Sequence, residues 1–300
     1  IMKKLLVLTL AFMIALLGAC SSQTGGSSDD GITIGASLLT ASHPFQVAIK
    51  EAIEAEAGNQ NVEVDIAIAD QDLNRQISSI EDFINKQVDA IIVTPVDSDG
   101  IKGALIKAKD AGIPVVTVDI KANGVEVDSH IATDNYTGGM IAAEAMAKYM
   151  GGEGEVGLIT YPEVQSVRDR IDGFKENAAN HPGMEIVTEL PGRTREEAKS
   201  ASEDMLTAQP NLKGIFGFGD DMAIAANAAI TERGADAVVI GFDGLEEALK
   251  SVDEDNAFKA VVVQFPDKMG EVAVQNAVKL ANGEEVEKEV PITPGLYVHS

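Results

Sequence analysis

Asp119 closes the run Val115-Val116-Thr117-Val118, Asp243 closes Val238-Val239-Ile240-Gly241-Phe242, and Gln264 closes Ala260-Val261-Val262-Val263. Each run is nearly continuous in apolar residues, as a strand buried on both faces would be. In open parallel sheets, ligands bind off the carboxyl ends of the strands. A carboxylate placed there accepts hydrogen bonds from two neighbouring hydroxyls, and such charge-assisted bonds are the strong kind. An amide adds both donors and an acceptor. Any one of these aspartates alone reads more readily as a cap for the following helix or as one half of a salt bridge between lobes. Both aspartates together with Gln264, at equivalent strand ends, favour a polyhydroxylated ligand. Arg168 opens the run Val167 to Phe174, and its five-donor fork suits ring and hydroxyl oxygens. From spacing alone it serves equally as a surface partner for Asp169 or Asp172.

Catalytic readings find little support. The chain has no GxSxG, no phosphate-binding loop and no cysteine nucleophile inside its globular part. The string Gly152-Glu153-Gly154-Glu155-Val156-Gly157 matches GxGxxG, but it precedes a strand instead of following one and opening a helix. Asp119 and Asp243 as the acid pair of a glycosidase would need a set separation that spacing does not give. The four histidines, His43, His130, His181 and His299, are far apart and form no HxxxH, so no metal site is expected.

The elements that must position these groups alternate. Strands are expected at 32–38, 62–68, 90–94 and 115–119, separated by helices near 44–57, 73–87 and 99–111. In the second of these helices Ile77, Ile80, Phe83 and Ile84 form one buried stripe. A helix near 137–149 leads to a second set of strands at 155–160, 184–190, 214–218, 238–242 and 260–264. Its helices fall near 167–179, 195–207, 221–233, 245–251 and 267–280. Such alternation predicts an α/β protein of two similar, doubly wound parallel-sheet lobes.

The 300 residues suffice for two lobes with full cores. The formal net charge of -25 repels phosphate backbones and argues against nucleic acid as a partner. The single cysteine, Cys20, excludes an intrachain disulfide. Met2-Lys3-Lys4, the apolar stretch 5–17 and Leu17-Gly18-Ala19-Cys20 have the pattern of a lipoprotein leader over 1–20, with Cys20 as the lipidation site. A Ser/Gly-rich tether follows over 21–30. The expected location is extracytoplasmic, with the membrane touched only through the lipid anchor.

The chain resembles the periplasmic ribose-binding proteins, within the type I sugar-binding proteins of ABC importers. The resemblance runs from Gly31 to Ser300. It is carried, in order, by His43-Pro44-Phe45, the segments 89–95 and 113–119, Ser129 to Asn135, Arg168 to Phe174, Gly241 to Gly244 and Gln264 to Asp267. It implies a hinge of three segments, at Thr133-Asp134, Gln264-Phe265 and Pro294. The first lobe would then hold 31–133 plus 265–293, and the second 134–264 plus 294–300. It implies that Phe45 stacks on the apolar face of a sugar, that His43 is a polar pocket position, and that Asp119, Arg168, Asp243 and Gln264 hold its hydroxyls. No cofactor and no enzymatic step are implied. The partners would be a monosaccharide or polyol and an ABC permease with a separate ATPase, and the protein a monomer. A sensor that reports sugar to a receptor or kinase would use the same clamp.

The departures from that pattern bear on the ligand. Ile120 stands where an arginine is usual, Gln46 and Arg193 replace aromatics, and Gly219 replaces an asparagine before Asp220. With Arg168 and Arg193 beside two aspartates the site comes out about neutral, so a neutral pentose, hexose or sugar alcohol is expected in preference to a sugar acid.

Overall fold

The computed structural model describes residues 31–254 and 256–299. The expected leader, its Cys20 and the tether lie outside the described residues. The compact unit that begins at Ile32 holds two six-stranded sheets.

The first sheet contains β1 (Thr33–Leu38), β2 (Glu63–Ile68), β3 (Ala90–Val93), β4 (Val115–Val118), β5 (Ser129–Thr133) and β11 (Glu289–Ile292). Their order is β11-β5-β4-β3-β1-β2, parallel throughout. Every side chain of β3 and β4 is buried, as their unbroken apolar runs require. The helices α1 (Pro44–Gln60), α2 (Leu73–Lys86), α3 (Lys102–Asp110) and α9 (Pro266–Ala281) belong to this lobe. Asp72 starts α2 by accepting the backbone N–H groups of Asn74 and Arg75, and Ile80 and Phe83 turn inward.

The second sheet contains β6 (Glu153–Thr160), β7 (Gly183–Pro191), β8 (Leu212–Gly217), β9 (Val238–Asp243), β10 (Phe258–Val263) and β12 (Gly295–Val298). Its order, β12-β10-β9-β8-β6-β7, repeats that of the first, except that β12 runs antiparallel to β10. Its helices are α4 (Asn135–Met150), α5 (Gln165–Ala178), α6 (Arg195–Ala208), α7 (Asp220–Arg233) and α8 (Glu246–Val252). Matching the two orders pairs β4 with β9, so Asp119 and Asp243 stand at equivalent ends of equivalent strands.

The chain passes from one sheet to the other over 133–135, 263–266 and 292–295. At the first passage Asp134 caps α4: its Oδ1 accepts the Thr137 N–H at 3.0 Å and its Oδ2 the Thr137 hydroxyl at 2.7 Å. That cap starts the helix two residues ahead of the position expected from apolar spacing. The short strands β5, β11 and β12 carry mixed or polar sequence, and apolar runs did not mark them. Each is a strand because a neighbouring edge offers it a ladder.

Two glycines seat α4 on α5. A Cβ on Gly139 would lie 2.0 Å from the Arg170 carbonyl oxygen, and one on Gly173 would lie 2.0 Å from that of Tyr136. The two helix backbones therefore touch, and this contact fixes where Arg170 sits.

Candidate ligand-binding cleft

Asp119 follows the last residue of β4 with φ at +65°, and Asp243 ends β9 with φ at +122°. A non-glycine residue rarely holds such a backbone, and doing so costs about 1–3 kcal/mol. Asp220, fully buried at the start of α7, braces the second of these turns. Its Oδ2 accepts the backbone N–H groups of Gly244 at 2.8 Å and Leu245 at 2.7 Å. Its Oδ1 is buried with no partner among the described residues. Burial first, and then the charge of Asp243, holds the Asp220 carboxyl well above the usual carboxylate range.

In the second lobe Asp243 Oδ1 accepts from Gln264 Nε2 at 2.6 Å and from an Arg170 terminal nitrogen at 3.1 Å. Arg170 is buried, with 7% of its surface exposed. It also donates to the Phe218 carbonyl at 2.6 Å and, through Nε, to Asn135 Oδ1 at 2.8 Å. Its guanidinium carbon lies 3.7 Å from the centre of the Phe242 ring. Gln264 Oε1 in turn accepts the Thr133 hydroxyl at 2.6 Å, which ties two crossing segments together beside the carboxylate. In the first lobe the arrangement is simpler, with the buried Gln46 donating Nε2 to Asp119 Oδ2 at 2.8 Å. Among the described residues, Asp119 Oδ1, Asp243 Oδ2 and the second terminal nitrogen of Arg170 have no side-chain partner. Gly219 leaves Asp243 Oδ2 uncrowded, since a Cβ there would come within 3.2 Å of it.

The two lobes act on each other electrostatically. Burial lifts the Asp119 carboxyl to about 6; the Gln46 hydrogen bond and the Arg170 charge pull it down, Asp243 pushes it up and His43 pulls it down. Asp243 is raised by burial and drawn down by Arg170, Gln264 and His43. Both carboxyls keep an open face, 20% of the side chain for Asp243, and are packed among protein atoms elsewhere. A cleft of about 890 Å³ opens on Asp119. The segments 96–99 and 119–123 wall one side of it and 161–169 the other, while Asp243 and Arg170 lie off its lining. Its volume falls within the roughly 300–1,000 Å³ of small-molecule sites.

The sequence reading placed Arg168 where the structure puts Arg170. The Arg168 guanidinium turns back to the Pro162 carbonyl and Gln165 Oε1, on the cleft wall, and pairs with neither Asp169 nor Asp172. Helical register gives the reason and was legible. Val167, Ile171 and Phe174 form the buried stripe of α5; Arg170 falls on that stripe and Arg168 a quarter-turn or more away. Arg193 also stands apart, with 60% of its side chain exposed and a salt bridge to Glu197 at 3.0 Å. The premise of a neutral site set by Arg168 and Arg193 is thereby corrected: one guanidinium, that of Arg170, faces the two aspartates. Phe45 is packed into the first lobe's core beside Ile49 and Met269, with 7% exposed. His43 is exposed at the start of α1. Of the crossing residues, Thr133 is buried, Phe265 is 39% exposed, and Pro294 packs close to Gly138. Asn135 and Asp220 were not among the expected site residues, since nothing local separates them from ordinary capping residues.

The family model for a periplasmic binding protein domain matches residues 34–285. This chain belongs to the periplasmic binding protein family. It is 34% identical over 297 residues to the ribose import binding protein RbsB of Bacillus subtilis (strain 168), covering 96% of this chain and 97% of that one. Among solved structures it is similar to an ABC transporter periplasmic solute binding protein from Actinobacillus succinogenes 130z with bound D-allose. There the TM-score is 0.82 at 28% identity, over 89% of this chain and 97% of that one. A solute binding protein from Bacillus halodurans C-125 with bound myo-inositol gives a TM-score of 0.81 at 27% identity, over 91% and 96%. The fold is the type I, ribose-binding-like form of this periplasmic binding protein family, and its relatives are solute-binding proteins of sugar importers.

Proposed function

We propose that this protein captures a monosaccharide or sugar alcohol between its lobes and delivers it unchanged to an ABC permease. The reading rests above all on Asp119 and Asp243, which close equivalent strands of the two lobes, with Asp243 and Arg170 of the second lobe both acting on the Asp119 carboxyl of the first. Asp119 Oδ1 and Asp243 Oδ2 accept ligand hydroxyls, and the free nitrogen of Arg170 donates to ring or hydroxyl oxygens. A ligand that bridges both lobes makes its full set of bonds only when they close on it, so binding favours closure. Rotation at the three crossing segments supplies the hinge, with the Thr133–Gln264 bond at its centre. Cys20 carries a lipid that holds the protein at the outer face of the cell membrane.

A thermal-shift screen of the full chain against pentoses, hexoses, polyols, their amino-substituted forms and sugar acids tests the ligand class. A binder of the native state raises the melting temperature by mass action. A rise with at least one neutral or amino-substituted sugar or polyol, together with compaction by small-angle scattering, supports the proposal. No shift with any of them overturns it.

A further inference from the structure

The charge of the cleft restricts the ligand further than hydroxyl recognition does. Its lining carries seven carboxylates, among them Asp97, Asp99, Asp119, Glu163 and Asp169, against two cations, Lys121 and Arg168. That excess of five over 24 lining residues is denser than the chain's own excess of 25 over 300. Both cations are already counted in that excess, and neither is bonded to Asp119. Lys121 is held by Glu289 at 2.5 Å, and Arg168 turns to Pro162 and Gln165. His130, also on the lining, is buried and its ionisation is depressed to about 4, so it adds no charge near neutral pH. Deeper in, Arg170 is spoken for by Asp243, Asn135 and Phe218. The only side chain bonded to Asp119 among the described residues is the neutral Gln46, and the next residue, Ile120, has no donor to give. Asp119 thus enters the cleft as a carboxylate with no cation in contact.

Resting on the sugar-binding reading above, we propose that the ligand is an amino sugar or amino polyol whose ammonium group sits against Asp119 Oδ1. The ammonium takes the first-lobe side because Arg170 repels it from Asp243. The hydroxyls of the same molecule reach Asp243 Oδ2 and the free Arg170 nitrogen. An ammonium supplies three donors and a full charge where a hydroxyl supplies one donor and none. A sugar acid meets an excess of like charge.

Matched pairs test this by isothermal titration calorimetry on the full chain at about pH 7.5. Suitable pairs are glucosamine with glucose, galactosamine with galactose, mannosamine with mannose, and 1-amino-1-deoxysorbitol with sorbitol, with glucuronate and galacturonate as the acids. At least one amino member should bind about tenfold or more tighter than its neutral parent. The gap should narrow between about 20 and 200 mM salt, where screening lengths shorten, and should close in Asp119→Asn. Neutral parents that bind as tightly as their amines in every pair, or an acid that binds as well, overturn the amino assignment and leave sugar binding standing. A preference that survives Asp119→Asn overturns the seat. No binding by any member overturns sugar binding and the amino assignment together.

Discussion

Replacing Arg170 with methionine keeps most of the stem's volume and removes the charge. The variant leaves Asp243 next to Asp220 with no cation in reach. Removing one partner of a buried ion pair costs about 3–5 kcal/mol, and the lower end applies because 20% of the Asp243 side chain stays open. The Phe218 carbonyl and Asn135 Oδ1 each lose a donor, adding roughly 1 kcal/mol apiece. The deficit at pH 8 should therefore be about 4–5 kcal/mol by urea unfolding. Its pH dependence has a definite sign. Asp243 is already raised and Arg170 is what pulls it down, so the variant raises it further. A carboxyl raised in the folded state contributes stability that is full below its unfolded pKa and lost as pH rises through its folded one. The deficit relative to the native protein should accordingly shrink at pH 5, toward about 2 kcal/mol from the lost hydrogen bonds alone. Adding Asp243→Asn should restore part of the stability at pH 8, and Arg168→Met should change it by less than about 0.5 kcal/mol. An equal deficit at both pH values, or no rescue by Asp243→Asn, would refute the assignment of Arg170 as the cation of the site.

Stability of the native chain should fall between about pH 4 and 6 as Asp119, lifted to about 6, loses its proton, by an upper bound of roughly 3 kcal/mol. Asp119→Asn should reduce that slope in unfolding curves by the Asp119 share, leaving what the raised Asp220 and Asp243 contribute, and ligand affinity should rise over the same interval as the Asp119 carboxylate forms. Gly139→Ala and Gly173→Ala each drive a methyl into the facing helix backbone and should cost about 3 kcal/mol. Gly58→Ala, exposed in α1 with nothing near, should stabilise by about 0.5–1 kcal/mol in the same assay. Asp220→Ala frees the Gly244 and Leu245 N–H groups and should weaken ligand binding about tenfold or more by calorimetry, with circular dichroism unchanged.

The sequence by itself determined whatever depends on neighbours along the chain. Apolar runs marked β3, β4, β9 and β10, and the amphipathic stretches between them marked the helices, because a strand or helix declares its buried face in its own period. Asp119, Asp243 and Gln264 stood out because a polar residue closing a buried strand has few places to point. Even the choice of Arg170 over Arg168 was written in the spacing of Val167, Ile171 and Phe174. Tertiary structure decided what depends on partners distant in the chain. β11 and β12 exist because β5 and β10 present open edges. Asn135 and Asp220 matter because Arg170 and the Asp243 turn come to rest on them. Which guanidinium reaches the aspartates, Arg170 where Arg168 and Arg193 were expected, followed also from where long flexible side chains found their hydrogen bonds. A side chain of that reach answers to the nearest acceptor in space, and sequence does not say which acceptor that is.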